Sequence, residues 1–470
     1  MPNHYDIIII GSGLGGLECG VILTRAGKRV LVLERSNQPG GCMQSYRRGG
    51  LMYDTGLHYV GGLEEGQSLH AAFSYLGLID LPWYRMDRFF DRILINGNEY
   101  CFSQGYDAFV DNLSKAFPKE RHALQQYASM LRNVDSTTTD IGAYNYLNDL
   151  FHDPLLISVL SATSMKMELN KDSLPLFAFA HGINSYIDSS WRLKGDGSLI
   201  VDRLVQQIRN GGGDVICRTE VNELIEKDDI ITKAVCTNGK QYAGDIFIAD
   251  IHPSSLCCLV KSSNKIKKVY RKRMSSLANT SGMFTVSLQL KPNTLKYFNW
   301  NEFIYSNSNV WKYDENKNEV TGVMLSCRVP EDNTEYASQL DILCRMSWKE
   351  CLPWTDTTVG RRGDEYVSHM NRKADECIKL AETYIPRLSE MVCKRYISTP
   401  LTYRDYLAAP EGTAFGIRND YRFSMLTFLS PRTPIGNLFL TGQNVMLPGI
   451  EGVTKTAFDT CNAITPIANH

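Results

Sequence analysis

Hydrophobic and polar positions alternate between two regular patterns along the first forty residues. Residues 5–10 are rich in isoleucine, and residues 30–33 form a second short apolar run, so each predicts a buried strand. Between them, residues 17–26 have the composition of a helix, and Gly27 provides its stop. The chain therefore opens with a predicted strand, helix and strand in close succession.

The same patterns recur further along the chain. Apolar residues at helical spacing predict helices in residues 106–134, 199–210, 363–385 and 448–464. Short apolar or alternating runs predict strands at 214–223, 230–235, 247–250, 323–327 and 342–346, with residues 284–290 expected to be half-buried. Residues 151–191 are rich in Leu, Phe, Met and Tyr, and two interpretations stay open for them: helical core, or the lining of an apolar substrate channel.

A glycine-rich turn joins the first strand to the first helix, with the sequence Gly11-Ser12-Gly13-Leu14-Gly15-Gly16. Gly11 permits a tight turn, Gly13 lets backbone N–H groups approach a pyrophosphate, and Gly16 lets the helix pack closely on the strand. Glu34 ends the second strand, where a carboxylate can accept hydrogen bonds from ribose hydroxyl groups and disfavours a 2′-phosphate. The turn and Glu34 together predict a dinucleotide site other than one for NADP.

A second glycine-containing motif lies near the other end of the chain. Residues 437–444 predict a strand that runs into Gly442 and Gln443, and Gly449, Ile450, Glu451 and Gly452 open the last predicted helix. The N-terminus of that helix can direct N–H dipoles at the pyrimidine edge of a flavin. This motif favours FAD over NAD as the cofactor.

Composition and charge exclude several classes of function. The 470 residues are 43% hydrophobic and 21% charged, and the formal net charge of −1 argues against a nucleic-acid partner. The 13 cysteines show neither C-x-x-C nor a metal-ligand spacing, so we expect reduced thiols and no metal site. We find no signal peptide and no apolar run long enough for a membrane span, and we expect a cytoplasmic protein.

Residues 261–273 carry seven Lys and Arg side chains. A solvated helix face is one interpretation of this run, and peripheral contact with the inner surface of an anionic membrane is the other.

The two glycine motifs, together with Gly40-Gly41-Cys42 and Asp54-Thr55-Gly56-Leu57-His58-Tyr59, resemble the family of phytoene desaturases, carotenoid isomerases and retinol saturases, and the retinol saturase branch above all. The resemblance spans nearly the whole chain and implies FAD. It implies that Val221 touches the adenine through its backbone. The other cofactor contacts that it implies are Gly11, Ser12, Gly13, Leu14, Gly15, Gly16, Glu34, Arg35, Gly40, Gly41, Cys42, Gly442, Gln443, Gly449, Ile450 and Gly452.

The family resemblance also implies an architecture. We expect an α/β fold in which a discontinuous Rossmann-like FAD-binding domain comprises residues 1–75, 195–260 and 430–470. Residues 76–194 and 261–429 would then form an α+β substrate domain, as in the flavin amine oxidase and phytoene desaturase folds.

The predicted chemistry is hydride transfer between a flavin and carbon–carbon bonds of a long apolar polyene or isoprenoid, such as a carotenoid or retinoid. Saturation, desaturation and isomerisation all fit, and His58, Tyr59 and Glu451 are the predicted catalytic acids. An unidentified electron donor or acceptor is also needed, because no second glycine fingerprint marks an NAD domain. The alternatives are a flavin amine oxidase and a non-catalytic lipid-binding escort protein.

Overall fold

The computed structural model describes residues 4–312, 318–331 and 334–466. The strands within these ranges are β1 His4–Ile10, β2 Val30–Leu33, β3 Ser45–Arg48, β4 Leu51–Asp54, β5 Val60–Gly61, β6 Trp83–Arg85, β7 Phe89–Ile95, β8 Asn98–Ser103, β9 Ser190–Leu193, β10 Asp214–Ile216, β11 Val221–Lys227, β12 Ile230–Cys236, β13 Gln241–Ala249, β14 Gly282–Leu290, β15 Asn301–Tyr305, β16 Gly322–Cys327, β17 Gln339–Met346, β18 Val392–Ser398 and β19 Leu438–Leu440. The helices are α1 Leu14–Arg25, α2 His70–Tyr75, α3 Tyr106–Ala116, α4 Arg121–Asn133, α5 Ala143–Leu150, α6 Pro154–Ser161, α7 Leu176–His181, α8 Asn184–Asp188, α9 Ser198–Asn210, α10 Pro253–Leu259, α11 Lys268–Ser276, α12 Trp348–Cys351, α13 Gly363–Ala381, α14 Leu388–Met391, α15 Pro400–Leu407, α16 Ser424–Thr427 and α17 Gly449–Ile464.

The first large sheet has the strand order β10-β2-β1-β13-β12-β11, and β19 pairs with β13. Strands β10, β2, β1, β13 and β19 run parallel. Helices α1, α9 and α17 cover one face of this parallel core, and a second apolar cluster that includes α10 covers the other. Because both faces are buried, β1 and β2 are continuous apolar runs. Because β13 and β19 come from distant parts of the chain, the expected discontinuous Rossmann-like fold is confirmed.

The second large sheet has the order β18-β14-β17-β16-β15-β7-β8 and is antiparallel except where β15 pairs with β7. The expectation of a half-buried strand at 284–290 is wrong, because β14 lies between β17 and β18 and its polar face is also covered. Ser287 on that face donates a hydrogen bond to the Asp341 carboxylate at 2.6 Å. Alternating polar residues here mark buried hydrogen-bonding positions and not a solvent face.

The predicted helices differ from the observed ones mainly at their ends. Helices α9 and α17 match the predicted ranges closely, whereas α13 ends at Ala381, before the predicted residue 385. Val367, one of the apolar residues at helical spacing in this segment, is 53% exposed. Helix boundaries follow capping and local packing more than the apolar period alone.

A helical layer, α3 to α8, packs beside the second sheet around one large hydrophobic cluster. This cluster takes apolar side chains from residues 151–191, so the helical-core interpretation of that segment holds for many of its residues. No helix in the described parts of the chain is both long and apolar enough to cross a bilayer. The residue bounds of the two predicted domains stay a prediction.

Candidate functional site

The two ends of the chain meet at the glycine turn that precedes α1. A Cβ atom placed on Gly15 would lie 2.9 Å from the backbone N and Cα of Gly442, so the two turns pack backbone against backbone. One helical turn further on, the Thr454 hydroxyl of α17 donates to the Glu18 carboxylate of α1 at 2.8 Å. The amino-terminal and carboxyl-terminal motifs therefore form one structural unit.

The remaining glycines of the amino-terminal motifs also allow close contacts. Gly11 has a φ of +95°, and a Cβ on Gly16 would lie 2.6 Å from the Gly11 carbonyl oxygen. The Gly40 N–H donates to the Ser12 carbonyl at 2.9 Å, and a Cβ on Gly41 would lie 3.1 Å from the Gly13 Cα. Because Gly13 precedes α1 as its N-cap, Leu14 and the helix N-terminus follow directly from this turn.

Glu34 is buried beside the glycine turn and holds it in place. Its Oε2 accepts hydrogen bonds from the Ser12 N–H at 3.0 Å and from the Ser12 hydroxyl, and its Oε1 accepts from the Ser36 N–H at 2.7 Å. The carboxylate thus organises the turn before any ribose reaches it.

Two further predicted cofactor contacts lie near the end of β2. The Thr219 N–H donates to the Glu34 carbonyl at 2.8 Å, which brings the stretch leading to Val221 next to the predicted ribose acid. Arg35 is exposed and donates to the Asp405 carbonyl at 3.3 Å. Cys42 is a third predicted cofactor contact. Burial raises the pKa of its thiol to about 11, so this side chain is a neutral thiol at neutral pH.

Asp250 was not predicted as a site residue, yet it lies between both glycine turns. Its Oδ2 accepts the Gly16 N–H at 3.0 Å, and a Cβ on Gly442 would lie 2.2 Å from its Oδ1. Burial, with a smaller contribution from the Glu34 charge, raises the pKa of Asp250 to about 6. This carboxyl group connects the two chain ends where they meet.

A cleft of about 950 Å³, its open mouth included, lies at the start of α17. Gly449, Ile450, Glu451 and Gly452 of that helix line it. Much of the remaining wall is apolar and includes Val60, Met167, Leu174, Ala178, Phe415, Ile417 and Leu447. Gly449 has a φ of +81°, and no atom lies within 4 Å of the position a Cβ would take there, so the helix N-terminus has open space beside it. Gln443 lies in the preceding loop, near Gly416.

Three ionisable groups meet around the first turn of α17. Glu451 Oε1 lies 2.7 Å from the Lys455 ammonium, while its buried Oε2 has no hydrogen-bond partner among the described residues. Burial and the Lys455 charge lower the pKa of His181 to about 4, against an opposing effect of Glu451. His181 is therefore a neutral imidazole at neutral pH, and Glu451 has an acceptor atom available to a ligand.

Lys166 is a largely buried cation that also lines the cleft. Its ammonium lies 3.4 Å from the Asp91 carboxylate and 4.0 Å from the centre of the Tyr186 ring. Asp91 is fully buried and also accepts the Tyr59 hydroxyl at 2.8 Å and the Asn301 amide at 2.9 Å. Burial lowers the pKa of Lys166, although the Asp91 charge opposes this effect, so its proton is released more readily than that of a surface lysine.

The structure does not bring the three predicted catalytic residues together. Glu451 lines the cleft, whereas the Tyr59 hydroxyl is bonded to Asp91, and burial raises its pKa well above the usual value. His58 lies in a separate cavity with Arg192 and Arg328, where burial and these two cations lower its pKa to about 4. A neutral histidine beside two arginines is a poor proton donor to the cleft, and the three assignments stay predictions.

Lys166, His181 and Asp250 were missed for different reasons. Lys166 and His181 are polar residues inside the apolar segment 151–191, and polar side chains in an otherwise apolar run are the signal that could have found them. Asp250 follows directly after the buried strand β13, at the carboxyl end of a parallel sheet, where ligand-binding groups often lie.

Comparisons with known proteins agree with this geometry. A model described as an NAD(P)-binding Rossmann-like domain matches residues 9–76. The chain is 24% identical to the all-trans-retinol 13,14-reductase of Danio rerio, with 99% of this chain and 86% of that protein covered. It is 22% identical to prolycopene isomerase 2 of an Oncidium hybrid cultivar, with 97% and 82% covered.

Among solved structures, putrescine oxidase bound to putrescine has a TM-score of 0.67 at 12% identity, with 98% of this chain and 99% of that chain covered. This structural likeness shows a shared fold. The sequence likeness is stronger evidence of a relationship, because it extends from the glycine turn to α17. The chain is thus an enzyme of the oxidoreductase class, related over almost its whole length to the retinol saturase and carotenoid isomerase family.

Proposed function

We propose that this protein is an FAD-dependent oxidoreductase that acts on carbon–carbon double bonds of a long apolar polyene or isoprenoid substrate. The observation that carries the proposal is the meeting of the two glycine motifs beside a largely apolar cleft. The names of the retinol reductase and prolycopene isomerase relatives support the substrate class.

The residues present fit an FAD molecule. The glycine turn and the N-terminus of α1 would hold the pyrophosphate, Glu34 would face the adenosine ribose, and the N-terminus of α17 would face the flavin. The open space beside Gly449 leaves room for a planar ring to approach that helix. When bound, FAD supplies hydride transfer to or from carbon.

The cleft also contains groups that can hold or move a proton. A buried ammonium at Lys166 can donate a proton to one end of a conjugated double bond, and Asp91 keeps that ammonium oriented. Glu451 can accept a proton or hydrogen bond through its unpartnered Oε2. Saturation consumes one hydride and one proton, and isomerisation consumes neither overall, so the same groups serve either reaction.

The test begins with the purified protein, which we expect to be yellow and to bleach on reduction. The reduced protein is then incubated without oxygen with a panel of carotenoids, retinoids and amines, and products are measured by mass. A gain of two hydrogens indicates a saturase, and an unchanged mass with shifted retention indicates an isomerase. The oxidised protein, incubated in parallel, detects desaturation as a loss of two hydrogens.

Two results would contradict the proposal. A protein that takes up no FAD would remove its basis and favour a non-catalytic lipid-binding escort protein. Oxidation of amines without any change in the polyenes would favour the flavin amine oxidase alternative. A diffusing electron donor or acceptor and a cytoplasmic location are the remaining parts of the proposal.

A further inference from the structure

A surface beside the cleft combines exposed apolar side chains with unpaired positive charge. Phe423, Met425 and Leu426 are 57%, 89% and 47% exposed, and Val269 on α11 is 81% exposed. The Arg273 guanidinium of α11 donates to the Met425 and Leu426 carbonyls at 3.4 and 3.0 Å, so α11 and residues 423–426 form one continuous face. We call this the α11 surface.

Its charge differs sharply from that of the chain as a whole. Residues 261–276 contain seven Lys and Arg and no Asp or Glu, although the whole chain has a net charge of −1. Lys261 and Lys265 pair with Glu223 and Asp229. By contrast, Lys267, Lys268 and Lys272 are exposed and have no acidic partner in the described part of the chain. These three ammonium groups are therefore available to an external anionic surface.

The α11 surface is also connected to the cleft wall. Phe428 follows the exposed residues and packs against Phe177, with 5.7 Å between the two ring centres. The ring centre of Phe177 lies 4.6 Å from that of His181. The Tyr421 N–H donates to the Ser173 carbonyl at 2.9 Å, and Ser173 lines the cleft. The segment that presents apolar residues outward is thus fixed to the cleft by its inner side.

We propose that the α11 surface docks on an anionic lipid bilayer. Lys267, Lys268 and Lys272 contact the headgroups, and Phe423, Met425 and Leu426 enter the interfacial region. A bilayer fits because it offers both anionic groups and apolar depth in one plane, which matches the arrangement of the surface. Docking would bring the cleft wall next to the bilayer. The value of that placement for substrate entry rests on the proposed function, whereas docking itself does not.

The experiment measures sedimentation of the full chain with vesicles of phosphatidylcholine, alone or mixed with phosphatidylglycerol. We expect the protein to sediment with the mixed vesicles, to be released by salt, and to stay in solution with phosphatidylcholine alone. Changing Lys267, Lys268 and Lys272 together to Gln should weaken binding about 100-fold, at roughly fivefold per charge. Changing Phe423, Met425 and Leu426 together to Ser should also weaken binding to the mixed vesicles, because the apolar contact with the interfacial region is lost.

Matched variants control for net charge and for apolar surface. The exposed residues Lys115, Lys119 and Lys379 are changed together to Gln, and Leu352, Val359 and Val367 are changed together to Ser. Both controls should bind as the unchanged protein does. The proposal is overturned if the unchanged protein binds neither kind of vesicle, or if a control variant loses as much binding as the α11-surface variant it is matched to. It is also overturned if light scattering shows that the α11 surface joins two copies of this chain. FAD content, measured in the same samples, separates a failure of docking from a failure of the proposed function.

Discussion

The glycine turns and the cleft are neighbouring regions that are built in different ways. In the turns, backbone packs directly on backbone, as where Gly15 meets Gly442 and Gly41 meets Gly13. In the cleft, side chains from distant segments meet, as where Lys166 approaches Asp91 of β7 and where His181 of α7 lies near Glu451 of α17. The first region holds a shape that tolerates almost no added atom, whereas the second holds charges whose pairing decides what the cleft can do.

This difference implies that damage to each region should have a distinct signature. A change in the turns should affect cofactor retention and stability together, because both depend on the same backbone contacts. A change in the cleft should affect turnover while the cofactor stays bound.

The largest effect is expected from Gly15→Val. Its side chain would overlap the Gly442 backbone, separate the two ends of the chain and destabilise the fold by about 3 kcal/mol. We expect loss of bound flavin, measured by absorbance after desalting, and a lower melting temperature. Gly436→Ala is the matched control, since no atom lies within 4 Å of a Cβ at Gly436. If Gly15→Val keeps its flavin, the meeting of the two turns does not create the site.

Lys166→Met should lower turnover by roughly 10²- to 10⁴-fold while flavin content is unchanged, because the cleft loses a proton donor. The measurement is the rate at which a polyene reoxidises the reduced flavin. Lys171→Met, at an exposed position in the same segment, is the control. Turnover that survives Lys166→Met would assign the proton transfer to Glu451 or to solvent.

Glu34→Ala should weaken FAD binding about tenfold, because Ser12 and Ser36 lose their shared acceptor and the turn loses its preorganisation. Glu34→Gln keeps one amide oxygen as an acceptor and should lose less affinity. Equilibrium dialysis against FAD compares the two variants. Unchanged retention in Glu34→Ala would exclude both the ribose role and the organising role.

The effect of Asp250→Asn should appear only as a pH dependence of stability. Because the pKa of Asp250 is raised from 3.8 to about 6 in the folded chain, its contribution to stability is present below pH 3.8 and is lost as the pH rises through 6. The asparagine variant lacks this loss. The difference in free energy of unfolding, variant minus unchanged protein, should therefore rise by on the order of 2–3 kcal/mol from pH 4 to pH 7. Thermal or urea unfolding across this range measures it, and a difference that is flat with pH would contradict the assignment.

The sequence predicted the glycine turns well, because their requirements are local. A turn that needs Gly11 at positive φ and a strand that ends at Glu34 leave their signature in consecutive residues. The cleft was predicted less well, because Lys166 and His181 acquire their roles only when α7, the second sheet and α17 meet. The separation of His58 from Glu451 is likewise a matter of tertiary packing, and neighbours along the chain carry no trace of it.

The last strand of the first sheet has a consequence for how the protein is made. Strand β19 pairs with β13, and α17 packs on α1, so these early elements wait for residues that the ribosome adds much later. Until then, the newly made Rossmann half has an uncovered edge beside β13. We therefore expect cofactor loading to wait until α17 has been made, and nascent chains stalled before residue 438 to depend on chaperones.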